Sequence, residues 1–111
     1  MKVYSWNVNG IRAAERKGFL DWLEINKPDI LCIQETKAAV DQLSDTLLNG
    51  HGYHTYFHSA ERRGYSGVAT FCKTEPLYVQ EGLGIDRFDS EGRVLITEHK
   101  SFLLYNIYFP N

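Results

Sequence analysis

The sequence predicts an α/β fold, one mixed β-sheet with helices on one face and a second face that needs a covering partner. Three observations lead there. The chain opens in the order β-α-β-α. The stretch Asp29-Ile-Leu-Cys-Ile-Gln34 is a short, unbroken apolar run, the pattern of a strand buried on both faces. From His51 onward the signal changes to short β-rich segments split by glycine-containing turns.

Each element has its own reason. Met1 to Trp6 is β-rich and runs into the polar turn Asn7-Val8-Asn9-Gly10. Residues 13 to 26 carry helix formers, and Phe19, Trp22 and Leu23 fall at i, i+3 and i+4 on one apolar face. Pro28 disfavours a helical residue before it, so this helix stops at Asn26-Lys27. After the buried strand, Glu35-Thr36-Lys37 reads as a polar loop. Val40, Leu43 and Leu47 predict a second amphipathic helix, closed at Asn49-Gly50. Strands follow at 51–58, 67–73, 76–80, 94–98 and 102–109. The last, Phe102-Leu-Leu-Tyr-Asn-Ile-Tyr-Phe109, is apolar almost throughout, so it should be covered on both faces. The two helices can serve only one side of a sheet, which leaves the other face for a partner chain or for more of a larger protein.

Composition sets the limits. The 111 residues suffice for one domain, and folding to that size buries roughly two-thirds of the chain's surface. With 43% hydrophobic and 23% charged residues, disorder throughout is excluded. A net charge of −2 gives no broad basic field, so any nucleic-acid contact must come from a local patch. No apolar run approaches the ~20 residues of a membrane span. The start lacks the apolar core of a secretory leader. Cys32 and Cys72 read as free thiols packed in strands, and the expected setting is a reduced, cytoplasmic compartment.

Chemistry is expected where strands end. Asn7 closes the first strand and Glu35 follows the second. If those strands are parallel neighbours, both side chains emerge at one carboxyl edge, where α/β sheets build ligand crevices. A carboxylate beside an amide oxygen suits Mg²⁺ or Mn²⁺. Spacing alone favours a plainer account, an Asx turn at Asn7 and a solvated loop acid at Glu35. His54 and His58 flank a predicted strand, which separates them by about 13 Å, so they read as packing or surface residues. Arg62-Arg63-Gly64-Tyr65, with Arg12, Arg16, Lys17 and Lys37, could form a local phosphate-contacting surface or merely an exposed turn.

Five segments, in order, resemble the motifs of the exonuclease III and apurinic/apyrimidinic endonuclease family. They are Ser5-Trp-Asn-Val-Asn-Gly-Ile-Arg-Ala13, Asp29-Ile-Leu-Cys-Ile-Gln-Glu-Thr-Lys37, Gly64-Tyr-Ser-Gly-Val-Ala69, Glu91-Gly-Arg-Val94 and Tyr108-Phe-Pro-Asn111. The resemblance implies a four-layered α/β sandwich of which residues 1–111 are the amino-terminal half. It implies Mg²⁺-dependent (or Mn²⁺-dependent) hydrolysis of double-stranded DNA at abasic sites and 3′ ends. By motif, Glu35 is the direct metal ligand and Asn7 belongs to the same cluster. Tyr108 and Asn111 match residues at the scissile phosphate. Asn9, Arg12, Lys37, Tyr65 and Arg93 match positions close to DNA or supporting the site. The family's later Asp-x-Asn segment, late metal-site aspartate and terminal Ser-Asp-His have no counterpart here, so the 111 residues alone are expected to turn over negligibly. The alternatives are a non-catalytic half-domain that pairs with a second copy through its uncovered sheet face, and a phosphatase of the same superfamily.

Overall fold

The computed structural model describes residues 1–110. Strand β1 (Val3–Asn7) and strand β2 (Ile30–Gln34) lie parallel, with Asn7 opposite Gln34. Strand β4 (Val68–Cys72) runs antiparallel between β2 and β3 (His54–His58), completing a four-stranded sheet in the order β1-β2-β4-β3. This is the expected mixed sheet.

The crossover from β1 to β2 is helical but broken. Helices α1 (Ile11–Arg16) and α2 (Phe19–Asn26) replace the single helix expected over 13–26. Gly18 sits between them at φ +100°, a conformation open to glycine and costly for other residues. The apolar spacing survives the break. Phe19 and Leu23 are buried against Leu31, Ile33 and Phe71, and burial of such a side chain stabilises by about 2 kcal/mol. Trp22 packs on Trp6 at 5.0 Å and edge-on to Tyr4 at 5.4 Å between ring centres, fastening α2 to β1.

The second expected helix is also divided. A single 3₁₀ turn at Val40–Gln42 is followed by α3 (Asp45–Asn49). Leu43 between them is extended, because Ser44 acts as an N-cap and its hydroxyl accepts from the Leu47 N–H at 3.1 Å. Val40 is consequently 47% exposed, while Leu47 is fully buried. Gly50 ends α3 at φ +60°, as the Asn49-Gly50 pair predicts.

The later strands form a sheet of their own, so the expectation of one sheet divides into two. Strands β5 (Tyr78–Glu81), β6 (Val94–Glu98) and β7 (Leu103–Ile107) are antiparallel in the order β5-β6-β7. This second sheet lies on the face of the first that the helices leave free. Phe102, Leu104 and Tyr56 pack there on Ile30, Cys32 and Cys72. The cover expected from elsewhere thus comes partly from the chain itself. The uncovered apolar face is the outer face of the second sheet, where Leu103 is 56% and Tyr105 51% exposed. Burial pushes the Cys32 thiol up to about 11 and Cys72 to about 12, leaving both as neutral core groups.

Between β5 and β6 an unpredicted turn of helix, α4 (Asp86–Asp89), closes a tight loop. The Asp89 carboxylate accepts from the backbone N–H groups of Leu83, Gly84 and Ile85 at 2.8–2.9 Å. His58, at the end of β3, meets the Val94 carbonyl through Nδ1 at 2.9 Å, while His54 is exposed, so the two histidines serve packing and surface. No helix among the described residues is long and apolar enough to cross a membrane.

Candidate active site

Parallel pairing brings the ends of β1 and β2 to one edge. The Asn7 amide nitrogen donates to Glu35 Oε1 at 3.0 Å, so the two residues form one cluster. The Asn7 oxygen is taken by the Asn9 backbone N–H at 3.0 Å, an Asx turn. The plain turn and the functional pairing coexist in a single side chain. Asn7 presents its nitrogen to Glu35 and spends its oxygen on the loop.

The loop backbone is held from both sides. Gly10 N–H donates to the Glu35 carbonyl at 2.8 Å and Ile11 N–H to the Thr36 carbonyl at 3.0 Å. Thr36 N–H reaches the Gly67 carbonyl at 3.1 Å and Lys37 N–H the Ser66 carbonyl at 2.9 Å. Asn9, Glu35, Lys37 and Ser66 all have φ between +49° and +58°. Such left-handed backbone in non-glycine residues costs of order 1 kcal/mol each and persists where surrounding bonds dictate it. Strain is therefore concentrated in the loops that carry this cluster.

Glu35 is half-buried and has three side-chain neighbours. Besides the Asn7 bond it faces Lys37 Nζ at 3.6 Å, and the Tyr108 phenol, carried by the residue after β7, lies near enough to act on its ionisation. The Asn7 hydrogen bond first, then Tyr108 and Lys37, hold its carboxyl below the usual range against the opposing effect of burial. Burial and the Glu35 charge push the Tyr108 phenol up, keeping it a proton-bearing donor. The Tyr108 backbone N–H donates to the Arg93 carbonyl at 2.9 Å. Arg93 donates to Glu91 Oε2 at 2.8 Å, and the Tyr65 phenol and Glu91 both favour its charged form. Its buried Nε and the buried Ser66 hydroxyl have no hydrogen-bond partner among the described residues. Arg62 lies over the Tyr65 ring at 5.5 Å.

The basic residues separate into two kinds. Gly10, Arg12, Ala13, Arg16, Lys37 and Gly64 line an open cleft of about 400 Å³ beside the cluster. Arg12 reaches the Lys37 carbonyl at 3.2 Å, binding one wall to the other. Arg63 instead pairs with Asp41 at 2.8 and 2.9 Å and is neutralised there. Asn7, Asn9, Arg12, Glu35, Lys37, Tyr65, Arg93 and Tyr108 are thus brought together at one rim. Asn111, the remaining expected site residue, lies outside the described residues.

No group of three or more His, Cys, Asp or Glu side chains forms a metal cage among the described residues. The donor set nonetheless fits a hard cation. Lys37 Nζ sits 2.6 Å from Asn9 Oδ1 and 3.6 Å from Glu35 Oε2, so two oxygens on adjoining loops already hold one positive charge. Mg²⁺ sites of one carboxylate completed by water and phosphate oxygens use the same chemistry.

Reasoning from the sequence missed Gln34 and Asn106. Gln34, immediately before Glu35 in the chain, donates to Asn106 Oδ1 at 2.8 Å and to Ser5 Oγ at 3.0 Å. Their signal was available, since each is a lone amide in an apolar strand.

A strand-end carboxylate, a tyrosine and a basic cleft on two packed sheets define a class. Residues 4–110 match the Endonuclease/Exonuclease/phosphatase family, and the chain belongs to it. Within that family it is 48% identical to a DNA repair nuclease of Danio rerio, over 100% of this chain and 36% of that protein. Among solved structures, an AP endonuclease from Archaeoglobus fulgidus superposes with a TM-score of 0.82 at 33% identity, covering 99% of this chain and 41% of that one. A 3′ phosphatase from Neisseria, bound to a product DNA hairpin, gives 0.83 at 30% identity, covering 97% and 41%. The chain therefore spans less than half the length of these proteins.

Proposed function

We propose that the chain carries the amino-terminal half of a divalent-metal-dependent DNA-repair nuclease, which hydrolyses phosphodiesters at abasic sites and 3′ ends in an intracellular, cytoplasmic setting. The observation that carries this reading is the Glu35 carboxylate, held by the Asn7 amide beside the Arg12–Lys37 cleft. Relatives named as a DNA repair nuclease and an AP endonuclease, and a neighbour bound to DNA, support the substrate class.

In this reading Glu35 holds the cation, and Asn7 orients its carboxylate through the amide hydrogen bond. A bound Mg²⁺ or Mn²⁺ supplies charge neutralisation on the attacked phosphate. The Tyr108 hydroxyl, and Asn111 by motif, donate to phosphate oxygens where charge grows. Arg12 and Lys37 contact the strand through backbone phosphates, Asn9 holds the loop between them, and Tyr65 and Arg93 stand beside the duplex. The groups that activate water come from outside these residues, so turnover by the 111 residues is negligible. Fluorescence anisotropy with an abasic-site duplex tests this. Binding strengthened by Mg²⁺ and abolished in Glu35→Gln supports it; equal binding by both proteins, with or without Mg²⁺, refutes it. Robust EDTA-sensitive cleavage by the 111 residues would contradict the division of labour.

A second reading is favoured by the outer face of the second sheet, where Tyr78, Leu103 and Tyr105 are more than half exposed. There the chain pairs with a second copy as a non-catalytic half-domain. A monomer in sedimentation at high concentration would exclude it.

A further inference from the structure

Asn106 is 2% exposed on an otherwise apolar strand, and its whole side chain is engaged. Its Nδ2 faces the Ala69 carbonyl at 2.8 Å, Thr70 Oγ1 at 3.1 Å and the Ile33 carbonyl at 3.3 Å. Its Oδ1 accepts from Gln34 Nε2 at 2.8 Å. One residue of β7 in the second sheet thus grips β2 and β4 of the first. The neighbouring contacts between the sheets are apolar, from Phe102 and Leu104, and another polar one, His58 Nδ1 at the Val94 carbonyl, lies on β3 and β6. Apolar contacts are non-directional, whereas a displaced amide leaves buried donors and acceptors unpaired. Lone buried amides set register in other packed assemblies for this reason.

The spacing ties that grip to the site. Glu35 directly follows Gln34. Tyr108 follows Asn106 by two, so its side chain leaves β7 on the same side, toward the first sheet. We infer that Asn106 is a positioning residue: by pegging β7 onto β2 and β4 it sets where the Tyr108 side chain stands relative to the Glu35 carboxylate. A slip of one residue moves a strand by about 3.3 Å, more than a hydrogen bond tolerates.

The significance of this inference rests on Glu35 and Tyr108 belonging to the reactive site, but its test needs neither metal nor DNA. In the full chain, nuclear Overhauser effects between the Tyr108 ring and the Glu35 and Asn7 side chains are measured by selective labelling. Asn106→Leu is expected to abolish those effects while the Phe71 ring signals of the helix-side core stay in place. Leu104→Ala, which weakens the same interface without touching the amide, is expected to lower Tm and keep them. If Asn106→Leu fails to fold, Gln34→Met, which removes the Oδ1 partner together with the Gln34–Ser5 bond, is expected to weaken them. Effects absent in the native chain, intact in the amide variant that folds, or equally abolished in Leu104→Ala, overturn the proposal. Mg²⁺-dependent DNA binding by the native chain judges the nuclease reading separately.

Discussion

The Glu35 carboxyl and the Tyr108 phenol stand close enough to shift each other's ionisation, although they follow strands of different sheets and lie far apart in the chain. Neither strand can make this pair alone. β2 delivers the acid through parallel pairing with β1, and β7 delivers the phenol through face-to-face packing. The site is therefore as good as the docking of one sheet on the other.

The first sheet itself rests on the helix-side core. Phe71 is fully buried and contacts Phe19, Tyr53 and Phe57 at ring-centre distances of 5.9 to 6.3 Å. Phe71→Ala is expected to cost about 3–5 kcal/mol, because the central strand cannot collapse into the space left. A denaturant midpoint within error of the native one would contradict this.

Gly67 is a backbone requirement of the site loop. It has φ +89°, and an added Cβ would run into the Thr36 side chain. Gly67→Ala should destabilise by about 1–3 kcal/mol. It should also disturb the Thr36 and Lys37 amide resonances, since those N–H groups bond residues 66 and 67. Unshifted amides there would show that the loop is held by other means.

The loop at residues 83–85 should respond to acid. The backbone N–H groups of Leu83, Gly84 and Ile85, Leu83 first, hold the Asp89 carboxyl below its ordinary value of 3.8. A carboxylate depressed on folding stabilises the fold above its unfolded value, and that stability is lost as pH falls through the folded value. Hydrogen exchange at those three amides should accelerate below about pH 4, relative to the sheet core, and be fast at all pH in Asp89→Ala. Protection that ignores pH would exclude the carboxylate as the cap.

Under the proposed function, Arg12 and Lys37 make phosphate contacts. Arg12→Ala or Lys37→Ala should weaken duplex binding uniformly across sequences and flatten the dependence of log K on log salt by about 0.9 for each phosphate no longer neutralised. Arg63→Ala, whose guanidinium is paired with Asp41, should leave that slope unchanged. An equal effect from all three would point to general charge instead of the cleft.

Much of this was legible in the residues. Phe19 and Leu23 reported their buried face through helical spacing, and Ile30–Ile33 reported a covered strand. Asn7 and Glu35 were placed together because parallel neighbours end at one edge. The break at Gly18 was not legible, since the apolar spacing on either side runs through it. The cap by Ser44 was hidden likewise behind Val40, Leu43 and Leu47. The α4 loop escaped because Asp89 builds it from backbone N–H groups, which no side-chain pattern reveals.

What the sequence determined by itself was the type of each element and the residues at strand ends, because local periodicity and turn chemistry act over a few residues. Only the tertiary structure decided that the strands divide between two sheets and that Asn106 locks them. Sheet partition depends on which surfaces meet after the chain collapses, and a lone amide declares its role only when buried groups on another strand leave it nowhere else to bond.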